Sequence, residues 1–181
     1  QITAALLADW DEAVAAEGIQ FANQKDEAVA REQVLSLLTA YVRQLPPDES
    51  RPLAVETSLS CSLVDPVTGE DFGISLVGII DLVLAEQAGP LIADFKTAAS
   101  SRPPPEIQHE IQLSCYSYLF RKVSGQQETA LEIRSLVKTK TPQIAVHRYA
   151  ARQEMHYRRL LAVVRAYLED LERGRFLFRP G

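Results

Sequence analysis

The chain has 181 residues, a formal net charge of −5 and 46% apolar residues, which is the composition of a globular protein with one hydrophobic core. No apolar run approaches the roughly 18–20 residues that cross a bilayer, and no segment resembles a secretory signal. Cys61 and Cys115 match neither a disulfide framework nor a zinc spacing, which favours a reducing, cytoplasmic setting.

The charge is uneven along the chain. The segment up to Lys96 carries 5 basic and 16 acidic residues, and the remainder carries 14 basic and 8 acidic residues. An acidic total excludes a protein that simply coats nucleic acid. It is compatible with an enzyme that holds a metal with carboxylates and guides a polyanion along a local basic strip, although ordinary surface variation would give the same asymmetry.

Hydrophobic periodicity predicts helices at both ends of the chain and strands between them. The predicted elements, in chain order, are helices at 3–17 and 26–45, strands at 53–63, 74–85 and 91–97, a helix at 106–123, strands at 130–138 and 143–149, and a helix at 151–173. Pro46 ends the second helix, and Pro103-Pro104-Pro105 introduces the third. The order predicts an α/β (or α+β-like) domain, in which a mixed central sheet begins with an antiparallel three-stranded meander and is flanked by helices.

Two acidic residues interrupt apolar strands in the middle of the chain. Asp81 lies in Ile79–Leu84, and Asp94 lies in Leu91–Phe95. A hairpin centred between residues 87 and 88 places Asp81 opposite Asp94, where Cβ atoms lie about 4.5–5.5 Å apart. Lys96 follows Asp94 by two residues and therefore shares its face.

Two carboxylates this close repel unless a cation lies between them or one is protonated. Oxygen ligands suit Mg²⁺ or Mn²⁺, and a hard cation beside a lysine suits phosphoryl chemistry. The alternative is a buried Asp–Lys salt bridge without catalysis. The matching register of the two acids favours the metal site.

Glu56 is a candidate third acid. A first turn centred near Thr68 places Glu56 within a residue or two of Asp81 on the neighbouring strand. It would then be a metal ligand, or it would face solvent as the polar half of an alternating strand, because a slip of one residue exchanges the two faces.

Gln112 and Tyr116 lie four residues apart and share one face of the predicted third helix. An amide and a phenol that face the sheet could bind a phosphate or a base. The alternative is a locally bonded glutamine beside an ordinary core tyrosine.

Together these motifs resemble the RecB-type branch of the PD-(D/E)XK nuclease superfamily, which includes helicase-associated and CRISPR-adaptation nucleases. The resemblance lies in Gly78-Ile79-Ile80-Asp81, Asp94-Phe95-Lys96 and Gln112-Leu113-Ser114-Cys115-Tyr116, in that order. It implies a restriction-endonuclease-like core at 51–181 behind a helical part at 1–50. Because Gln1 is not an initiator methionine, we expect this single nuclease-like domain, 1–181, to be a fragment of a longer protein.

The resemblance also implies roles for individual residues. Asp81, Asp94 and the backbone carbonyl of Phe95 would bind the metal, and Lys96 would activate or orient the attacking water. Gln112 and Tyr116 would contact DNA or hold the lysine side of the site. The turn that contains Lys138 and Lys140 would touch backbone phosphates, unless it is simply a solvated turn.

The implied function is a Mg²⁺- or Mn²⁺-dependent DNA nuclease, an exonuclease or single-strand nuclease that acts in repair, recombination or foreign-DNA processing. Its partners would be DNA and a helicase or another recombination protein, with no membrane.

Many relatives carry a metal-binding histidine near the start of the domain, and none of His109, His147 and His156 occupies that place. An iron–sulfur cluster is implied only for a longer parent, not for this segment. The alternative is an inactive nuclease fold that serves as a DNA-binding or docking scaffold.

Overall fold

The structure is a computed structural model that describes residues 2–44, 51–102 and 106–175, without the side chains at 2–3, 5–7 and 106–108. Its elements are α1 (Ile2–Ala16), α2 (Gln24–Gln44), β1 (Pro52–Val64), β2 (Asp71–Glu86), β3 (Gly89–Ala98), α3 (Glu106–Ser124), β4 (Ala130–Val137), β5 (Gln143–Ala150) and α4 (Glu154–Glu172).

The predicted order of helices and strands is confirmed, and the differences are confined to element ends. Strand β2 begins three residues earlier than predicted and helix α4 begins three residues later. The predicted end of the second helix at Leu45 and Pro46, and the proline run at 103–105, lie outside the described residues. No described helix is both long and apolar enough to cross a membrane.

The five strands form one sheet in the order β1-β2-β3-β4-β5. Strands β1, β2 and β3 pair antiparallel, which is the predicted meander. Thr129 N–H donates to the Pro90 carbonyl and Lys138 N–H donates to the Ala98 carbonyl, so β4 runs parallel to β3. A parallel pair needs a crossover connection, and α3 supplies it. The sheet is therefore mixed, as predicted.

The chain divides into two compact units. The first comprises Gln1–Glu49, Phe95–Pro103 and Ile133–His147, and the second comprises Ser50–Asp94, Pro104–Glu132 and Arg148–Gly181. In the first unit α1 packs on α2, and the Trp10 indole donates a hydrogen bond to Glu27 (3.1 Å).

In the second unit α3 packs on β1 and β2, and α4 packs on α3. The residues of one of its core clusters are Leu63, Tyr118, Tyr157 and Leu161, with Cys61, Phe72, Leu76 and Val164 packed around them. The Tyr118 hydroxyl accepts a hydrogen bond from the Val64 N–H (2.8 Å) and donates to a backbone carbonyl of β1. This side chain therefore fixes the height of α3 over β1.

Gly78 sets the distance between β2 and α3. A Cβ atom at this position would lie 2.8 Å from Leu119 Cδ1 and 3.7 Å from the Tyr116 ring. Real Cβ atoms do not approach a neighbour as closely as 2.8 Å, so a larger residue would displace the helix or repack Leu119. The glycine therefore allows Tyr116 to lie directly against the strand that carries Asp81.

Candidate active site

The two acidic residues lie on neighbouring strands, and the pairs between these strands have the register that the hairpin predicted. The β2–β3 ladder pairs Glu86 with Gly89 and continues to Leu82 opposite Ala93. The paired residues end there, one step before Asp81 and Asp94, which would face each other with their side chains on one face if the same register continued. Asp94 is 1% exposed, whereas Asp81 is half-buried.

The buried Asp94 carboxylate is held from α3. Its Oδ1 atom accepts a hydrogen bond from Gln112 Nε2 (3.2 Å) and one from the Tyr116 hydroxyl (3.4 Å). Gln112 Nε2 also donates to the Tyr116 hydroxyl at 2.8 Å, so the three groups form a closed triangle. Both side chains direct their hydrogen bonds to Oδ1, which leaves Oδ2 unengaged by either of them.

Both carboxylates act electrostatically on the same phenol. Burial raises the pKa of Tyr116 above its ordinary value of 10.0, and the negative charges of Asp94 and Asp81 raise it further, against a lowering by the Gln112 hydrogen bond. The phenol therefore stays protonated at neutral pH and can donate to Asp94. An influence of both acids on one ring is consistent with a common location on the α3 side of the sheet.

Glu56 departs from the predicted strand geometry. The pairs Val55–Leu82 and Thr57–Ile80 flank it, so Glu56 lies opposite Asp81 in register, as the turn position predicted. However, its φ is +45°, in the left-handed region that only glycine enters readily, and it is exposed. The regular alternation of a strand is therefore interrupted at this point, and the neighbouring Val55 is also exposed (62%).

The three acids do not form one cluster. Among the residues that the structure describes, no group of three or more His, Cys, Asp or Glu side chains is placed to hold a metal ion. The role of Glu56 as a third metal ligand stays a prediction. A residue with positive φ does not continue the regular pleat of a strand, so the direction of the Glu56 side chain does not follow from strand alternation. Backbone strain of this kind is costly and occurs preferentially at functional sites. The positive φ of Glu56 is therefore a separate reason to test this residue by mutation.

Phe95 and Lys96 continue β3 after Asp94 and belong to the first unit. The Phe95 ring meets the edge of the Tyr41 ring, with centroids 5.4 Å apart. The Tyr41 hydroxyl accepts a hydrogen bond from the buried Arg134 guanidinium (3.1 Å). This contact between α2, β3 and β4 was not predicted, because Tyr41 lies 54 residues from Phe95 and 93 residues from Arg134 and no local pattern links them.

The remaining predicted DNA contacts are exposed. Lys138 and Lys140 lie in the turn between β4 and β5, and Lys138 also closes the β3–β4 ladder through its backbone N–H. The basic helix α4, in contrast, is largely neutralised. Three arginines of the helix and Arg173, which directly follows it, form ion pairs with glutamates; the pairs are Arg158–Glu154, Arg159–Glu110, Arg165–Glu70 and Arg173–Glu169.

The fold is that of the restriction-endonuclease-like α/β proteins. The chain belongs to the PD-(D/E)XK nuclease superfamily, since the model of that family matches residues 1–181. No curated protein matches it significantly.

Two solved structures are similar to this chain. The crystal structure of a "Putative exonuclease" from Eubacterium rectale is 14% identical, with a TM-score of 0.64, and the match covers 99% of this chain and 76% of that one. The crystal structure of SSO0001 is 16% identical, with a TM-score of 0.46 over 93% and 70% of the two chains. At these identities the likeness to the first shows the fold alone.

Proposed function

We propose that the protein is a divalent-metal-dependent DNA nuclease that hydrolyses phosphodiester bonds. One observation carries the proposal. The register of the β2–β3 ladder, continued by one residue, would oppose Asp81 and Asp94, and Gln112 and Tyr116 donate hydrogen bonds to Asp94 at that point. Membership of a nuclease superfamily and the fold shared with a protein named as an exonuclease support it. The proposed processes are repair, recombination or foreign-DNA processing, by exonuclease or single-strand cleavage, as in the RecB-type branch that the three motifs resemble.

The donor set fits magnesium or manganese. Two carboxylates and one backbone carbonyl, that of Phe95, are hard oxygen ligands. Magnesium retains several waters and is commonly bound by one or two carboxylates together with substrate phosphates, so a two-acid site is sufficient. A bound ion of this kind would supply charge neutralisation at the phosphate and a more acidic water.

The residues of the chain would divide the remaining work. Asp81 and Asp94 would hold the ion, and Lys96 would place a positive charge near the attacked phosphate. The hydrogen bonds of Gln112 and Tyr116 to Asp94 favour a role in orienting this carboxylate over the DNA contact expected from sequence. Lys138 and Lys140 are exposed and would bind backbone phosphates, whereas the paired arginines of α4 offer little free positive charge.

The second candidate is an inactive nuclease fold that binds DNA or a partner protein. It is favoured because none of His109, His147 and His156 occupies the place near the start of the domain where many relatives carry a metal-binding histidine. It predicts DNA or partner binding without turnover, and it requires no metal at Asp81 and Asp94.

The test is cleavage of labelled single- and double-stranded DNA by the full-length protein with Mn²⁺. We expect Asp94→Ala and Lys96→Ala to abolish cleavage, while Asp9→Ala and Lys25→Ala, at exposed positions of α1 and α2, retain it. Cleavage that survives the first two substitutions would reject this site. Calorimetric titration with Mn²⁺ separates the two candidates, because a scaffold should show no binding that depends on Asp81 and Asp94.

A further inference from the structure

Helix α3 has a second polar face, which meets a buried carboxylate on the side of α4. The Glu128 side chain is 0% exposed. Its Oε1 atom accepts hydrogen bonds from Ser117 Oγ (2.7 Å), an Arg121 NH2 group (2.8 Å) and the Arg152 backbone N–H (2.9 Å), and its Oε2 atom accepts one from Arg121 Nε (2.7 Å). Burial alone would raise the pKa of Glu128, but the hydrogen bonds from Arg121, Ser117 and Arg152 outweigh it and lower the pKa.

This carboxylate joins three separate segments of the second unit. Ser117 and Arg121 belong to α3, Glu128 lies just before β4, and Arg152 lies just before α4. The Arg121 guanidinium also donates to the Arg152 carbonyl (2.7 Å), and Ser117 Oγ lies 2.6 Å from the Tyr157 hydroxyl. A two-point contact of one guanidinium with one carboxylate fixes orientation as well as distance. Rotation of α3 about its axis would therefore break several short hydrogen bonds together.

The hydrogen bonds of the candidate active site depend on the same rotational position of α3 about its axis. Ser117 directly follows Tyr116 in the chain, and adjacent helix residues are about 100° apart around the axis. The hydrogen bonds that reach Asp94 from Tyr116 (3.4 Å) and Gln112 (3.2 Å) are long, and hydrogen bonds weaken quickly beyond this range. A shift of α3 by a few tenths of an ångström would be enough to lose them, whereas the bonds to Glu128 are short and numerous.

We propose that Glu128 is a positioning residue for the candidate active site. Its buried carboxylate holds α3 in the rotation at which Tyr116 and Gln112 bind Asp94, without touching substrate itself. The catalytic part of this inference rests on the proposed nuclease function. The structural part, that Glu128 sets the environment of Tyr116, is independent of it.

The experiment compares two buried glutamates in the full-length protein. Glu128→Gln removes the charge that binds Arg121. Glu132→Gln is the matched control, because Glu132 is also buried and also pairs with an arginine, Arg148 (3.0 Å), but it lies on β4. Both variants should unfold at lower temperature than the natural protein, so thermal stability alone does not decide the question.

The first readout is the kinetics of single-stranded DNA cleavage at saturating Mn²⁺, at a temperature where both variants are folded. We expect kcat to fall about tenfold in Glu128→Gln with little change in KM, the effect of a lost orienting contact, and to stay within about twofold in Glu132→Gln. Native kcat in Glu128→Gln would overturn the proposal.

The second readout needs no nuclease activity. In fluorotyrosine-labelled protein, the ¹⁹F resonance that disappears in Tyr116→Phe belongs to Tyr116. We expect this resonance to shift in Glu128→Gln and to stay in place in Glu132→Gln. If the natural protein cleaves no DNA but the resonance shifts, the proposed function fails while the positioning role stands; an unshifted resonance overturns the positioning role in either case.

A milder variant covers the case in which Glu128→Gln does not fold. Ser117→Ala removes one hydrogen bond and leaves the Arg121–Glu128 pair in place. We expect a shift of the Tyr116 resonance in the same direction and a two- to threefold loss of kcat, about the effect of one weak hydrogen bond. The absence of both changes would again count against the proposal.

Discussion

Two carboxylates of the second unit, Asp94 and Glu128, are almost completely buried and have different surroundings. Each of the two residues is 1% exposed. Glu128 binds the cationic Arg121 at two points, whereas the hydrogen bonds that Asp94 receives from α3 come from a neutral amide and a neutral phenol. A guanidinium that binds a carboxylate at two points fixes its orientation and opposes its charge, whereas the amide and the phenol of α3 contribute orientation. The comparison teaches that two equally buried carboxylates can be held by different chemistry, so burial alone does not distinguish a structural acid from a candidate ligand.

The largest expected effect is on activity when the oriented acid is neutralised. Asp94→Asn keeps the shape of the side chain and removes the charge that would hold a divalent cation. We expect cleavage of single-stranded DNA with Mn²⁺ to fall about 10³-fold, as for the loss of several kcal/mol of metal-derived stabilisation. The melting temperature should change little, and Asp9→Asn should behave as the natural protein does. Full activity in Asp94→Asn would place Asp94 with Glu128 as a structural group and break the comparison.

The next effect is on stability when the paired acid is neutralised. Glu128→Gln leaves the guanidinium of Arg121 without its anion in a largely buried setting. We expect a loss on the order of 3 kcal/mol in the free energy of unfolding, measured with urea. A loss below about 1 kcal/mol would mean that solvent reaches Arg121 and replaces the carboxylate.

A smaller effect is expected from the phenol that orients Asp94. Tyr116→Phe removes one hydrogen bond and keeps the ring against Gly78. We expect about a fivefold fall in kcat, the equivalent of about 1 kcal/mol. Tyr167→Phe, at a tyrosine that is 51% exposed on α4, is the control. Equal kinetics in the two variants would show that Gln112 alone suffices to orient the carboxylate.

The smallest effect is the pH dependence that Glu128 adds to stability. Its pKa in the folded protein is lowered from an ordinary value of 4.5, so its contribution is complete above the unfolded-state pKa and is lost as the pH falls through the folded-state pKa. Urea unfolding between pH 5 and pH 3 should show the natural protein losing stability faster than Glu128→Gln, which lacks this titration. Parallel curves would show that the pKa of Glu128 is the same in the folded and unfolded states.

Turn positions made the register of β2 and β3 predictable from sequence. A hairpin centred between residues 87 and 88 gives the observed pairs from Glu86–Gly89 to Leu82–Ala93 by counting. The same kind of counting placed Glu56 within a residue or two of Asp81, but it could not foresee a φ of +45°. A backbone torsion at one residue is set by the surrounding structure, and the alternation of the strand gave no sign of it.

The environment of Glu128 was not predictable for a different reason. Its partners Ser117, Arg121 and Arg152 lie 11, 7 and 24 residues away along the chain. They meet because two helices and a loop pack together, and neither periodicity nor a short motif records such a meeting. The basic helix α4 shows the same limit, since its ion pairs with Glu70 and Glu110 join residues 95 and 49 positions apart.

Gly78 makes no hydrogen bond through a side chain and carries no charge, yet it determines how far two functional groups can reach. A tyrosine has a fixed length, so its hydroxyl meets Asp94 only if its ring starts close to the sheet. Because residue 78 has no Cβ atom, Leu119 packs against its backbone, and α3 with Tyr116 lies close to the sheet. In a redesign of this site, changing residue 78 would retune the spacing between amide, phenol and carboxylate while leaving all three in the sequence.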